Sequence, residues 1–397
     1  MTHAHGRVVA GALSTLDASA LRDADDVRVR AWIHRACVSL AADLRSARLL
    51  PASLGTRLSD ALLEDAIRTS SPSLDELAEA ARAIADRPPI GRVAMILPSN
   101  VETAVVRPLV WALLARDAVA MRISSRCPGI VRALVDRLRA HDEALGRALG
   151  VLEIDRDDEA GFAALAAWAD AIHAWGHDDT IVQLQHRLGR SLVAHGSGLS
   201  LAIVTRDHAE HLDVSALARD VARHEQRGCL SPHAVLIEEG ASLDATTLAR
   251  SLFEALSQLE PVWPRGRVEA DEAARERTWR DTAQALADWV GVGTCHAVSA
   301  EGGALRDTPG LRNAAVHTMS RVAIETLLSR LGPSLKSIGV VEPAAWPSRG
   351  AEGPHVVPIG AMQTPSLLAP ADGAPPWTGF VGERAEHASL LARTREP

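Results

Sequence analysis

The segment Gln226-Arg227-Gly228-Cys229-Leu230-Ser231-Pro232 sets one thiol between a helix-like run and a strand-like run. From Asp213 to Gln226 the apolar residues Leu217 and Val221 recur at helical spacing. Asp213 or Ser215 suits the cap and Gly228 suits the helix end. Ala234 to Ile237 reads as a buried strand. A thiol at such a junction is held by two elements and can face a cleft, where it attacks a carbonyl carbon while nearby backbone N–H groups hold the oxyanion. The competing reading is a small buried hydrophobe, the ordinary use of a free cysteine.

Other candidate groups are histidines. His173 and His177, or His208 and His211 with Glu210 and Asp213, have pairwise spacing that a metal could use, but neither set completes a zinc motif. They read as surface histidines, and no metal is expected. His195 stands before the Gly196-Ser197-Gly198 turn and by itself reads as a satisfied core or turn histidine. The four cysteines form no C-x-x-C pair, which argues for reduced thiols over a zinc site or disulfide framework. The chain has no tyrosine, so it lacks the catalytic tyrosine of a short-chain dehydrogenase. Its one lysine, Lys336, lies in a poor context for pyridoxal-phosphate chemistry.

The elements that must position Cys229 follow from periodicity. Leu16 to Asp86 is mostly helix-forming, with breaks at Pro51 and Pro72. From Gly91 strands and helices alternate: Val93 to Leu97, a helix through Leu109 to Leu114, Val119 to Ile123, and a helix from Ile130 to Leu138. Val151 to Ile154 and Ala171 to Trp175 add two strands. Such alternation predicts an α/β fold whose parallel sheet is covered on both faces, the doubly wound arrangement that binds dinucleotides at its carboxyl edge. Leu252 to Leu259 and Ala273 to Val290 read as later helices, separated by Pro261-Val262-Trp263-Pro264. No G-x-G-x-x-G follows the first strand.

With 397 residues, 47% of them apolar, the chain can bury a sizeable core in two or three domains. The net charge of −8 and the scatter of arginines among acids leave no basic face for nucleic acid or an anionic membrane. No apolar run approaches the roughly 18 residues of a membrane span. The chain is expected to be soluble and cytoplasmic.

QRGCLSP followed by a strand resembles the active-site segment of the LuxC-type acyl-CoA reductases, a branch of the aldehyde dehydrogenase superfamily. Ile96-Leu97-Pro98-Ser99-Asn100 resembles the loop carrying the superfamily's oxyanion asparagine, and Val119 to Arg126 its ribose-contacting strand end. Ala171 to Thr180 resembles the LuxC-type strand, Gly turn and helix start, with Asp179 or Thr180 as cap. Val356 to Gln363, with the Asp372-Gly373 turn, resembles the C-terminal segment, so the likeness runs over roughly residues 90 to 380. The resemblance implies an aldehyde dehydrogenase-like fold: a parallel doubly wound cofactor domain plus a second α/β catalytic domain. It implies Cys229 as nucleophile, Asn100 as oxyanion donor and His195 as acid or base. Pro98, Arg122, Ser124, Ser125 and Gly176 would lie along the cofactor.

Ser125 stands where NAD-preferring relatives carry a carboxylate, with Arg122 and Arg126 close by. NADPH is therefore favoured, with NADH as the alternative. Where hydrolytic relatives carry a water-activating glutamate, this chain has Ala194 and His195. A thioester on Cys229 should then outlast hydrolysis, which favours reduction of an acyl-CoA or carrier-bound acyl group to an aldehyde. The alternatives are a cysteine acyltransferase without nicotinamide, and a non-catalytic scaffold. The implied organisation is a helical layer over 1–90, a cofactor domain over 91–204 completed by 346–380, a catalytic domain over 205–345, and a tail over 381–397. An acyl-protein synthetase subunit and a homo-oligomer are the implied partners.

Overall fold

A computed structural model describes residues 2–49, 54–98, 100–123, 129–190, 192–302, 305–347 and 353–383. Four helices precede the first strand: α1 (Thr2–Ser14), α2 (Asp26–Arg45), α3 (Asp60–Ser70) and α4 (Leu74–Ile84). Pro72 falls between α3 and α4, and Pro51 lies outside the described residues. The start of α4 is fixed by a capping box in which Ser73 and Glu76 satisfy each other's free backbone N–H. The buried face of α2, from Val29 to Leu44, packs into the main apolar core.

Next come β1 (Arg92–Ile96), α5 (Val106–Ala115), β2 (Ala118–Ile123), α6 (Gly129–Arg139), α7 (Glu143–Ala148), β3 (Leu149–Glu153), α8 (Glu159–Trp168), β4 (Ala171–Trp175), α9 (Asp178–Leu188) and β5 (Val193–His195). The strands form a parallel sheet in the order β3-β2-β1-β4-β5. They are nearly continuous apolar runs because helices cover both faces, and the inward residues of β1 and β2 are almost fully buried. The order reverses between β1 and β4, so the loops leaving those two strands part and open a crevice at the sheet's carboxyl edge.

A second sheet has the order β12-β11-β6-β7-β10-β9-β8. It comprises β6 (Leu199–Val204), β7 (Pro232–Glu238), β8 (Trp289–Val292), β9 (Ala297–Glu301), β10 (Asn313–Met319), β11 (Leu335–Val340) and β12 (His355–Pro358). Only β8 runs antiparallel to its neighbour. Helices α10 (Val214–Ala222), α11 (Ala245–Leu259), α12 (Ala270–Leu286) and α13 (Arg321–Leu331) complete it. The chain passes from β5 through Gly196–Gly198 straight into β6. The carboxyl edge of the first sheet therefore meets the amino ends of β6 and β7.

Four expectations are corrected. Residues 199–204 and 355–358, assigned from sequence to the cofactor domain, are β6 and β12 of the second sheet, because their ladders are with β7 and β11. Only the following segment returns, where Val381 bridges Pro89 and Phe380 packs on His173. The helix expected through Gln226 ends at Ala222, and the one expected through Val290 ends at Leu286, since Trp289–Val292 pairs with β9. His177, not Asp179 or Thr180, is the N-cap of α9.

Asp117, fully buried at the start of β2, accepts the Gly91 N–H (2.8 Å) where Gly91 turns with φ of +108°. Burial pushes its carboxyl up to about 7. The folded protein thus retains a proton that the unfolded chain, titrating near 3.8, releases. The stability this group contributes is complete below pH 4 and is lost as pH rises through 7. Asp117→Asn keeps the acceptor and removes the titration. The difference in melting temperature between wild type and variant should shift in the variant's favour from pH 4 to pH 7.

Candidate active site

Cys229 lies between α10 and β7, and the fold holds its loop from several sides. Asp213 caps α10 by accepting the Ala216 N–H (3.0 Å). After Arg223 the chain runs through His224, Glu225 and Gln226, all with φ of +54°. Three consecutive non-glycine residues in the left-handed region wind the chain sharply toward Gly228. Ser200 of β6 donates to the Cys229 carbonyl (2.7 Å), and Gln226 Nε2 to the Pro232 carbonyl (2.8 Å). Gln363 Nε2 donates to Ser231 Oγ (2.7 Å), and Arg227 closes on Glu272 (2.9 and 3.0 Å).

Asn100, exposed in the loop after β1, donates from Nδ2 to the Arg227 carbonyl (2.9 Å), two residues before the thiol. One hydrogen of its amide remains for another acceptor. The Cys229 side chain is open to solvent, but the walls of a deep cleft crowd it. That crowding raises its pKa, and Asp372 adds to the effect. Lys336, the cysteine's own backbone N–H and Arg107 pull the other way without cancelling it.

The cleft has a volume of about 2170 Å³, more than one drug-sized ligand needs. Pro98, Asn100, Arg122, Gly176, His195 and Cys229 all line it, whereas His208, Glu210, His211 and Asp213 do not. Ser124 and Ser125 lie outside the described residues. Arg122, at the end of β2, uses Nε on the Ile154 carbonyl (3.0 Å) and stands beside Phe162. The Gly176 N–H donates to the His195 carbonyl (3.2 Å), tying the loop after β4 to the end of β5.

His195 has a fixed setting. Its Nδ1 meets Asp372 Oδ2 at 2.6 Å, and Lys336 Nζ meets the other oxygen at 2.5 Å. Burial alone would raise the Asp372 carboxyl, but the hydrogen bond from His195 and the Lys336 charge hold it low. With Nδ1–H donated to Asp372, Nε2 becomes the acceptor facing His173 Nδ1 (3.3 Å). The His195 ring stacks on Trp175 at 4.3 Å and 8°. His173, expected at the surface, is instead buried under His195 and Phe380, and burial, followed by the neighbouring His195, lowers its pKa to about 3. No cluster that could hold a metal ion occurs among the described residues.

Asp372, Lys336, Trp175 and Arg107 were not assigned to the site from sequence. The lone lysine of the chain was the available signal for Lys336. Asp372 was visible only as half of an Asp-Gly turn.

The profile of a family described as acyl-CoA reductase (LuxC) matches residues 43–373. No curated protein sequence matches the chain. Among solved structures, indole-3-acetaldehyde dehydrogenase from P. syringae with NAD+ superposes with a TM-score of 0.70 at 15% identity, over 95% of this chain and 88% of that one. Aldehyde dehydrogenase 21 from Physcomitrella patens gives 0.69 at 12% identity, over 94% and 88%. Glyceraldehyde-3-phosphate dehydrogenase from Methanocaldococcus jannaschii, complexed with NADP, gives 0.64 at 11% identity, over 85% and 81%. At these identities the likeness is one of fold, and the fold is that of the aldehyde dehydrogenases. No helix among the described residues is long and apolar enough to cross a membrane.

Proposed function

This chain belongs to the acyl-CoA reductase (LuxC) family, and on that premise we propose that it reduces an acyl thioester to an aldehyde through a covalent thioester on Cys229. The observation that carries the reading is the open thiol of Cys229, in a loop gripped by Asn100, where the two sheets meet over one cleft.

The residues at the first sheet's carboxyl edge fit a nicotinamide dinucleotide. The crevice lies at the point of strand reversal. Gly196 and Gly198 leave no room for a side chain: a Cβ would come within 2.5 Å of Asp178 Oδ1 and 2.1 Å of Lys336 Cγ respectively. Trp175 and His195 present stacked rings, and Arg122 stands at the far end with no carboxylate partner among the described residues. Arg122 and Pro98 would hold the adenosine half, and Gly176 the nicotinamide half. The Arg122 guanidinium favours NADPH, whose 2′-phosphate it can meet. When bound, NAD(P)H supplies the hydride.

The chain's own residues supply the rest. Cys229 Sγ bonds to the acyl carbon, the carbon–sulfur bond to CoA or a carrier thiol breaks, and that thiol departs with the proton lost from Cys229. The oxyanion is held by the free Asn100 amide hydrogen and the Cys229 backbone N–H. Because the thiol is not lowered toward neutrality, it needs a base, and His195, held by Asp372, would serve once its Nε2 turns from His173 to the thiol. After reduction the bond from carbon to Cys229 breaks, the aldehyde leaves, and His195 passes a proton taken from solvent to the sulfur. With no glutamate at Ala194 or His195, the thioester waits for hydride instead of water. An acyl-protein synthetase subunit and a second copy of the chain are the partners this reading brings.

Purified protein given NADPH or NADH and a series of acyl-CoA thioesters should oxidise cofactor only when thioester is present, with one aldehyde formed per cofactor consumed. Acyl transfer without cofactor consumption would replace this reading with that of an acyltransferase.

A further inference from the structure

Arg107, near the start of α5, lines the cleft beside Glu76, Trp111 and His224. Its Nη2 donates to the carbonyls of Ser366 (2.6 Å), Leu367 (3.3 Å) and Ala369 (3.2 Å). Its Nε is buried with no partner, and no carboxylate of a described residue lies within ion-pair distance. Other buried guanidiniums of the catalytic half each close on a carboxylate: Arg223 on Asp65, Arg227 on Glu272 and Arg312 on Glu225. Glu76, the acid whose charge acts on Arg107, is engaged by the backbone N–H and hydroxyl of Ser73 in the α4 capping box. Burial lowers Arg107 only to about 10, so it remains charged near neutral pH.

A loop staple accounts for Nη2 but leaves the positive charge, half-buried in the cleft wall, without a carboxylate on it, an arrangement that an anion entering the cleft would complete. Arg107 and Cys229 line the same cleft, and the arginine's charge favours the thiolate. Resting on the reductase reading above, we propose that Arg107 binds a carboxylate at the far end of the acyl group. The substrate is then a thioester of a short dicarboxylic acid and the product a semialdehyde acid. The guanidinium would offer Nη1–H to a carboxylate oxygen across the cleft while Nη2 stays on the 366–369 carbonyls.

The test compares succinyl-CoA with butyryl-CoA, which share chain length and the CoA phosphates and differ in the terminal carboxylate. Wild type should show the higher kcat/KM for succinyl-CoA. Arg107→Gln, which can still donate to the 366–369 carbonyls, should lower the succinyl-to-butyryl ratio by about 10- to 100-fold, the range of a charge-assisted hydrogen bond. Arg107→Lys should fall between. Effects of the charge on Cys229 itself cancel in the ratio. A wild-type preference for butyryl-CoA overturns the proposal. So does an unchanged ratio in Arg107→Gln, which would show a loop staple or a contact to the CoA phosphates. If neither thioester is reduced, the reductase reading fails by itself. Free succinate then decides on Arg107: it should slow iodoacetamide labelling of Cys229 more than butyrate does in wild type, and protection no greater than butyrate's overturns the carboxylate site.

Discussion

Cys229→Ser should abolish thioester-dependent NAD(P)H oxidation, lowering kcat by at least about a thousandfold, since the covalent step has no substitute in the cleft. Intact-mass measurement without cofactor should show an acyl adduct on wild type after exposure to acyl-CoA, and none on the variant. The other described thiols provide the internal control. Burial pushes Cys37 up to about 12, and burial with Glu260 pushes Cys295 up to about 11, so neither supplies thiolate near neutral pH. Cys295→Ser should therefore acylate as wild type does. An adduct that persists in Cys229→Ser would move the nucleophile elsewhere and remove the basis of the proposed mechanism.

What the sequence disclosed and what it hid divide along contact distance. The strands β1, β2 and β4 are apolar runs bounded by turns, and their identity is local, so Val93, Val119 and Ile172 could be placed in a parallel sheet from sequence alone. The Cys229 junction is also local. The allocation of β6 and β12 is not, because it depends on ladders to strands far along the chain. The setting of His195 is formed by Lys336 and Asp372, 141 and 177 residues later, and no spacing rule links them. His173 looked like a surface residue because its burial comes from Phe380, more than two hundred residues away. Arg107 reads as one more helix arginine until the carboxylates near it are accounted for.

The end of α10 shows the same effect with an energetic consequence. Nothing local stops a helix at Ala222, since His224, Glu225 and Gln226 are ordinary helix residues and each costs about 1 kcal/mol or more in the left-handed region. The offset comes from Glu225 and Arg312, both buried to within 2% of complete. Arg312 donates from Nε and Nη2 to the two Glu225 oxygens (3.0 and 2.9 Å), and from Nη1 to the Trp263 carbonyl (2.9 Å). Gly266 N–H reaches Glu225 Oε1 (3.0 Å), and Leu311 N–H takes the Glu225 carbonyl (3.0 Å).

Glu225→Leu strands a buried guanidinium and should destabilise the protein by ~3–5 kcal/mol in urea unfolding. It should also lower kcat, because Gly228 and Cys229 follow directly from the strained turn. Adding Arg312→Met removes the stranded charge. Stability should then largely recover, as it does when a buried pair is replaced by apolar residues, whereas turnover should stay low because nothing then pins the turn. Recovery of both in the double variant would show that the pair serves stability alone. An unchanged urea midpoint in Glu225→Leu would show that the pair does not serve stability. The distinction matters for the site because the thiol's direction into the cleft would be set by a salt bridge whose second partner lies 83 residues beyond it.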